Sequence, residues 1–167
     1  MRRNLRRATG FTLIEVSIAL AVASFSLVAI FGLLPVGINS DKASVEQTNV
    51  TNILNAVMAD LRSTPNPAPV GAAGTSPVFG IPIPAATATA PAGTGASNPT
   101  KKLYIAEDGQ PLTSATGARY QLNVWMTPAA TGTRIATTGR LLVTWPAPAA
   151  PADALGSMEA FVALDRN

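Results

Sequence analysis

The chain has 167 residues, about the length of one domain, but 47% of them are apolar and only 5% aromatic, so any soluble core is expected to be small. It contains no cysteine and no histidine, which excludes disulfides, zinc sites built on Cys or His, cysteine nucleophiles and histidine-based triads. The formal charge of +3 depends on an arginine cluster at residues 2–7, without which eight Lys and Arg face nine Asp and Glu.

The first predicted element is an apolar helix from Phe11 to Leu34. As an α-helix this run is roughly 36 Å long, enough to cross a hydrocarbon core of about 30 Å. Four arginines precede it and no basic residue follows before Lys42. The positive-inside rule therefore predicts a single-pass protein of the cytoplasmic (inner) membrane, with its N-terminus in the cytoplasm and everything beyond Pro35 in the periplasm or outside the cell.

Glu15 is the one charged residue of this apolar run. A carboxylate there costs about 2.5–3.5 kcal/mol on insertion scales, so it indicates a function. If the chain were cut after Gly10, Phe11 would carry a free ammonium group in the same membrane layer. Two unit charges about 4 Å apart attract by roughly 4 kcal/mol at an effective dielectric of 20, so the new amine and Glu15 can neutralise each other.

Two other interpretations of the segment remain open from the residues alone. A secretory signal peptide could be cut after Ala23, at the sequence Ala-Val-Ala, but the apolar run continues past that point and a carboxylate interrupts it. A signal anchor would stay uncut and tether a binding module in the periplasm. Neither alternative gives Glu15 a use.

The run from Arg6 to Val16, RRATGFTLIEV, resembles the processing site of type IV prepilins and type II secretion pseudopilins. In that family a membrane peptidase cuts after the glycine and methylates the new N-terminal residue, and a glutamate at the fifth mature position serves assembly. The resemblance implies that residues 1–10 are a leader, that Gly10 and Phe11 form the processing site, and that Glu15 pairs with the Phe11 amine of a neighbouring subunit.

The same resemblance implies a function and a set of partners. The chain is expected to be a structural subunit of a pilus-like or pseudopilus filament, a minor pseudopilin, whose partners are other pilin or pseudopilin subunits, the prepilin peptidase and membrane lipid. The run GLLPVG at residues 32–37, with the strand spacing that follows, also resembles the pilin-like cassette protein B of the Verru_Chthon cassettes.

The transmembrane or assembly helix is predicted at residues 11–35, and an amphipathic half of the same helix at residues 36–63. Pro35 and Gly37 are expected to bend or loosen the helix between the two halves. The helical pattern ends at Ser63-Thr64-Pro65, and Asp60 is assigned to the polar face. The apolar face, expected to pack on a soluble domain, consists of Val45, Ile53, Leu54, Val57, Met58 and Leu61.

Residues 64–100 form the next segment, rich in Pro, Ala, Gly, Thr and Ser and free of charge. Such a segment gains too little burial to offset its ordering entropy, so it is predicted to be a loop or linker with a short extended piece around residues 78–81. It is either a filament-surface loop or a tolerated insertion.

Residues 101–167 are predicted to form a small antiparallel β-sheet domain. In the second strand, Tyr120, Leu122, Val124 and Met126 alternate onto one face, which is expected to cover the amphipathic helix. The whole chain is therefore α+β: a long N-terminal helix packed on a small antiparallel sheet. The four predicted strands run from Lys101 to Glu107, Ala118 to Thr127, Gly139 to Trp145 and Ser157 to Leu164.

Three further features of the sheet domain bear on function. Glu107 and Asp108 could be a calcium ligand pair, but a hairpin turn explains them without a metal. Arg119, Arg134 and Arg140 are the candidates for a DNA-binding patch, and general nucleic-acid binding is not expected. Because no nucleophile, base and oxyanion site are arranged together, the protein is not expected to be an enzyme or to need a cofactor or a metal.

Overall fold

The computed structural model of the protein describes residues 10–65, 72–86, 98–130 and 136–165. The chain divides into two compact units, Met1–Val45 and Glu46–Asn167. The described elements agree with the predicted α+β class. In chain order they are the helix α1 (Leu13–Ser63), the strands β1 (Gly74–Thr75), β2 (Pro82–Ile83), β3 (Lys101–Ile105), β4 (Pro111–Leu112), β5 (Tyr120–Thr127) and β6 (Thr137–Trp145), a 3-10 turn (Pro151–Asp153) and the strand β7 (Gly156–Leu164).

In the first unit, every residue from Gly10 to Val45 is exposed. The helix continues without a break through Pro35 and Gly37, so the expected loosening does not interrupt it. Val45, predicted to lie in the apolar stripe, is 58% exposed. That prediction was wrong because none of the residues that the structure describes in the first unit is buried.

In the second unit, the end of α1 forms one side of the core. Its buried apolar residues recur at helical spacing, which gives one continuous face. The predicted stripe is confirmed at Ile53, Leu54, Val57 and Leu61, with Met58 partly buried, and Val50 extends it by one turn.

Asp60 is a second correction, since it was assigned to the polar face and is 6% exposed. Its carboxylate accepts backbone N–H groups from Val78 and Phe79, each at 3.0 Å. A buried carboxylate is stable when such donors satisfy its oxygens. Helical periodicity alone carries no information about these donors, which come from a distant turn.

The main sheet has five antiparallel strands in the order β4-β3-β5-β6-β7. The four predicted strands are confirmed, with shifts of a few residues at their ends. The first stops at Ile105 because the chain turns at Glu107 and Asp108. There Gly109 has a φ of +86°, a conformation that favours glycine, and its N–H donates to the Ala106 carbonyl at 3.1 Å.

The core face of the sheet is the predicted one. Tyr120, Leu122 and Val124 are fully buried and Met126 is nearly so, and all four join the cluster formed with the end of α1.

The opposite face of the sheet also buries polar side chains. Gln121 and Asn123 are 3% and 2% exposed, and Thr144, which pairs with Gln121 across β5 and β6, is 0% exposed. Among the described residues, the Gln121 and Asn123 amide nitrogens and the Thr144 hydroxyl have no hydrogen-bond partner.

The segment between the helix and the sheet contributes more to the core than its composition predicts. β1 and β2 pair antiparallel, and Phe79, Ile81 and Ile83 are at most 7% exposed. The expectation of little burial was therefore wrong at these positions, because three large apolar side chains bury enough surface to anchor a short segment. The predicted extended piece around residues 78–81 was also misplaced, since Val78 and Phe79 lie in a turn and the strand begins at Pro82. Residues 66–71 and 87–97, which belong to the same predicted loop, lie outside the described residues.

Candidate processing and assembly site

The structure places the predicted site residues at the start of α1. Gly10 and Phe11 precede the helix, and Glu15 lies in its first turn. The Phe11 side chain is 88% exposed, and Gly10 and Glu15 are exposed as well. The peptide bond after Gly10 and the Glu15 carboxylate are therefore both accessible from outside the chain. The arginines of the predicted leader lie outside the described residues.

Glu15 is bonded to Thr12 at the helix N-terminus. Its Oε2 atom accepts the Thr12 backbone N–H at 2.9 Å and the Thr12 hydroxyl at 2.8 Å, and the Glu15 backbone N–H reaches the Thr12 Oγ1 atom at 3.3 Å. This reciprocal pair is a capping box, in which two N–H groups without a helical partner are satisfied.

The capping role of Thr12 was not predicted from the sequence. The signal was present, because a Thr followed three residues later by a Glu at the start of an apolar run is the pattern of a capping box. Glu15 thus has a local structural role in addition to the predicted one. Only its Oε2 atom takes part, and Oε1 accepts no hydrogen bond within the described part of the chain, so one carboxylate oxygen remains for a partner.

The helix that follows has an apolar surface that the described residues of its unit leave exposed. An 18-residue window of α1 has a mean hydropathy of 2.4 and none of it is buried, so by length and composition it is a candidate membrane span. The hydroxyls of Ser17 and Ser26 donate to the carbonyls of Leu13 and Val22 at 2.9 and 2.8 Å. These polar groups are satisfied within the helix and need no water, as a lipid environment requires.

In the second unit, a polar network joins α1 to Arg119 and Tyr120, where β5 begins. Glu46 forms a salt bridge with Arg119, and its Oε2 atom accepts the Tyr120 hydroxyl at 2.7 Å. The Asn49 amide donates to the same hydroxyl at 3.3 Å. This network fixes the packing of the helix against the sheet at its first turn inside the unit.

The titration of the network follows from its contacts. Burial tends to raise the pKa of Glu46, but the hydrogen bonds from Arg119 and Tyr120 and the charge of Arg119 outweigh it and lower that pKa. Burial, followed by the hydrogen bond to Glu46, raises the pKa of Tyr120. Glu46 is therefore held ionised and Tyr120 neutral near pH 7.

Two of the three arginines considered for DNA binding lie in the described part of the chain, and both form salt bridges. Arg119 is held by Glu46. Arg140 forms a salt bridge with Glu159, and its guanidinium carbon lies 4.9 Å from the centre of the Trp125 ring, a cation–π contact. Arg134 lies outside the described residues.

Glu107 and Asp108 lie in the predicted turn between β3 and β4. One Asp108 carboxylate oxygen accepts the Gln110 N–H at 3.1 Å, and the Ala106 N–H donates to the Gln110 carbonyl at 2.9 Å. Within the described ranges, no three His, Cys, Asp or Glu residues are grouped as metal ligands. Both acidic residues therefore lie in a turn, and the Asp108 carboxylate is bonded within it.

An exposed apolar helix whose N-terminus carries the Thr12–Glu15 capping box, in a chain with a small antiparallel sheet domain, fits a protein anchored in the inner membrane through its N-terminus. A profile of the prokaryotic N-terminal methylation motif matches residues 5–31. The chain is therefore type IV pilin-like in this segment, with the signature of a subunit processed by a prepilin peptidase. This motif implies two kinds of partner, the prepilin peptidase and other pilin subunits. Comparison with the curated proteins and with the solved structures found no match.

Proposed function

We propose that this protein is a minor pseudopilin: a non-enzymatic structural subunit of a type IV pilus-like or type II secretion pseudopilus filament. The prepilin peptidase cuts after Gly10, and Phe11 becomes the methylated mature N-terminus. Glu15 is the assembly residue. Before assembly the subunit crosses the cytoplasmic membrane once, with its N-terminus in the cytoplasm and its sheet domain on the other side.

The observation that carries this proposal is the methylation motif over residues 5–31, with Glu15 as its only acidic residue. Cleavage after Gly10 removes the four arginines of the leader and creates one ammonium group within four residues of Glu15. The formal charge then changes from +3 to −1. The basic leader orients the chain in the membrane and is absent from the mature subunit that enters the filament.

The assembly step follows from the two carboxylate oxygens of Glu15. Oε2 remains on Thr12 of its own chain and keeps the helix N-terminus capped. Oε1 accepts the Phe11 ammonium of the neighbouring subunit, and the attraction of roughly 4 kcal/mol at an effective dielectric of 20 offsets the cost of the carboxylate in the membrane. The pairing sets the register between adjacent apolar helices.

The capping box dictates how this proposal is tested, because Glu15→Ala would remove the cap and the charge together. Glu15→Gln keeps an oxygen that can accept the Thr12 N–H and removes only the charge. We expect its membrane insertion and processing to be normal and its incorporation into filaments to be lost. Glu15→Gln filaments at the wild-type level would contradict the proposed pairing.

Thr12→Val is the matched control for the cap. It removes the hydroxyl from the capping box and leaves the Glu15 charge in place, so incorporation is expected to continue. If Thr12→Val abolishes filaments and Glu15→Gln does not, Glu15 serves only to cap the helix, and the proposed charge pairing is wrong.

A further inference from the structure

We propose that a groove in the second unit of each subunit holds the α1 segment Val36–Val45 of a neighbouring copy, with Lys42 at the acidic rim of the groove. The proposal rests on the proposed function, because assembly is what brings two copies together. It names the surface on which they meet outside the membrane.

The groove lies between the end of α1 and two turns of the same unit. Its volume is about 670 Å³. The side chains of Asn52 and Ala56 lie on one wall, Val78 on a second, and the β3–β4 turn with Glu107 and Asp108 on the third. The Val78 side chain is 64% exposed there, so apolar surface is available to a partner.

The groove carries one sign of charge. Among the described residues, its charged lining residues are Asp60, Glu107 and Asp108, and none of the lining residues is Lys or Arg. Asp60 has both oxygens bonded to the Val78 and Phe79 amides. Glu107 and Asp108 form no salt bridge within the described residues. Although the charge of Arg119 reaches Glu107, the Arg119 guanidinium is bonded to Glu46.

The α1 segment Val36–Val45 is complementary to this groove. Ile38, Lys42 and Val45 follow one another at spacings of four and three, so they share one helix face. Ile38 and Val45 are 46% and 58% exposed. Lys42 has no salt bridge within the described part of the chain. Two apolar residues flanking one cation match an apolar groove with an acidic rim.

Amphipathic helices dock into hydrophobic grooves through residues spaced three and four apart on one face, as Ile38, Lys42 and Val45 are. Asp41 lies beside Lys42 and would meet the side of the groove where the Asn52 amide offers a donor. Opposite charges at the rim then fix the register of the docked helix and exclude the reversed one.

Cross-linking of paired cysteines tests the contact, since the natural chain has no cysteine. Full-length Lys42→Cys/Asp108→Cys is assembled into filaments and oxidised, and the product is separated without reductant. A ladder of multiples of this chain is expected. Ser40→Cys/Asp108→Cys is the matched control, because residue 40 lies about 200° around the helix from residue 42, and it should give no ladder.

Charge reversal gives a second measurement on the same contact. Lys42→Glu places like charges together, and we expect about a tenfold loss of filament yield. Adding Glu107→Lys and Asp108→Lys to the same chain should restore the yield.

The outcomes separate this inference from the proposed function. Filaments in which neither cysteine pair cross-links, or both do equally, overturn the groove contact and leave the filament role intact. A cross-linked product of this chain with a different protein overturns the choice of a second copy. Failure of the wild-type chain to enter any filament contradicts both.

Discussion

Asp60→Ala is the substitution that tests most sharply how the second unit is held together. Asp60 is 6% exposed, and its two oxygens each bind one backbone N–H of the turn at Val78 and Phe79. That turn leads Phe79 and Ile81 into the core. The substitution removes both acceptors at once and leaves two N–H groups to find new partners.

The magnitude follows from the exposure of each donor. A hydrogen bond to a charged group contributes about 1.5–3 kcal/mol. The Phe79 N–H is buried and loses this in full, whereas water can reach the turn at the exposed Val78, which reduces the second loss. We expect Asp60→Ala to lower the free energy of unfolding by about 2–4 kcal/mol. Asp60→Asn keeps one acceptor oxygen and is expected to cost about half as much.

The assay is urea unfolding of the full chain in detergent micelles, followed by the fluorescence of Trp125 and Trp145 in the sheet. With a slope of about 2 kcal/mol/M, the midpoint for Asp60→Ala should fall by about 1–2 M. Hydrogen exchange at the Val78 and Phe79 amides should accelerate in the same variant.

Ser63→Ala is the matched control on the same turn of the helix. Its hydroxyl donates to the Asp60 backbone carbonyl at 2.9 Å, and it is exposed, so its effect should stay within about 0.5 kcal/mol. Equal midpoints for Asp60→Ala and Ser63→Ala, or unchanged exchange at both amides, would refute the reasoning.

Two more predictions concern the polar groups of the second unit. Thr144→Val removes a buried hydroxyl that has no hydrogen-bond partner among the described residues and should raise the free energy of unfolding by about 1 kcal/mol. Thr137→Val removes a hydroxyl that accepts the Ala129 N–H at 3.3 Å and should lower it, so a loss in both variants contradicts the argument. Because the pKa of folded Glu46 lies below its ordinary value of 4.5, its contribution is present above that value and is lost as the pH falls through the lowered pKa. We expect Glu46→Gln to cost about 1 kcal/mol near pH 7, since the Arg119 side chain is half exposed. The difference from wild type should vanish once the pH has fallen below the lowered pKa of Glu46. A difference that persists after Glu46 is protonated shows that the lost charge is not the cause.

The elements that the sequence predicted well are those with long, regular patterns. The apolar run is almost uninterrupted from Phe11 to Leu34, which predicts one long helix. Tyr120, Leu122 and Val124 alternate with other residues along β5, which predicts that they share the core face. The strand ends shifted by only a few residues, where turns such as that at Gly109 decide the boundary.

The predictions that failed depended on partners distant in the chain. Val45 continues the apolar period, but the described residues of its unit leave it exposed. Asp60 is a polar residue that is nevertheless buried, because the turn at Val78 supplies hydrogen-bond donors to its carboxylate. Phe79 is buried in a segment whose Pro and Gly content suggested a linker. Local composition could not reveal these contacts, because tertiary packing overrides propensity.

The candidate site was predictable in a different way. Gly10, Phe11 and Glu15 come from a short motif, whose match over residues 5–31 supports the type IV pilin-like assignment. The capping box of Thr12 and Glu15 was recognisable in the same short motif. Because of it, a substitution of Glu15 can remove the helix cap as well as the charge. The charge on Glu15 and its cap can be separated by Glu15→Gln, and the pairing proposal depends on that separation.

The central claim, that Gly10 precedes the cleavage point of a pilin-like subunit, is tested most directly by mass spectrometry of the N-terminal peptide of the protein purified from membranes. The account predicts a chain that begins at Phe11 and carries one methyl group on its α-amine. An intact Met1, or a chain that begins after Ala23, would contradict it.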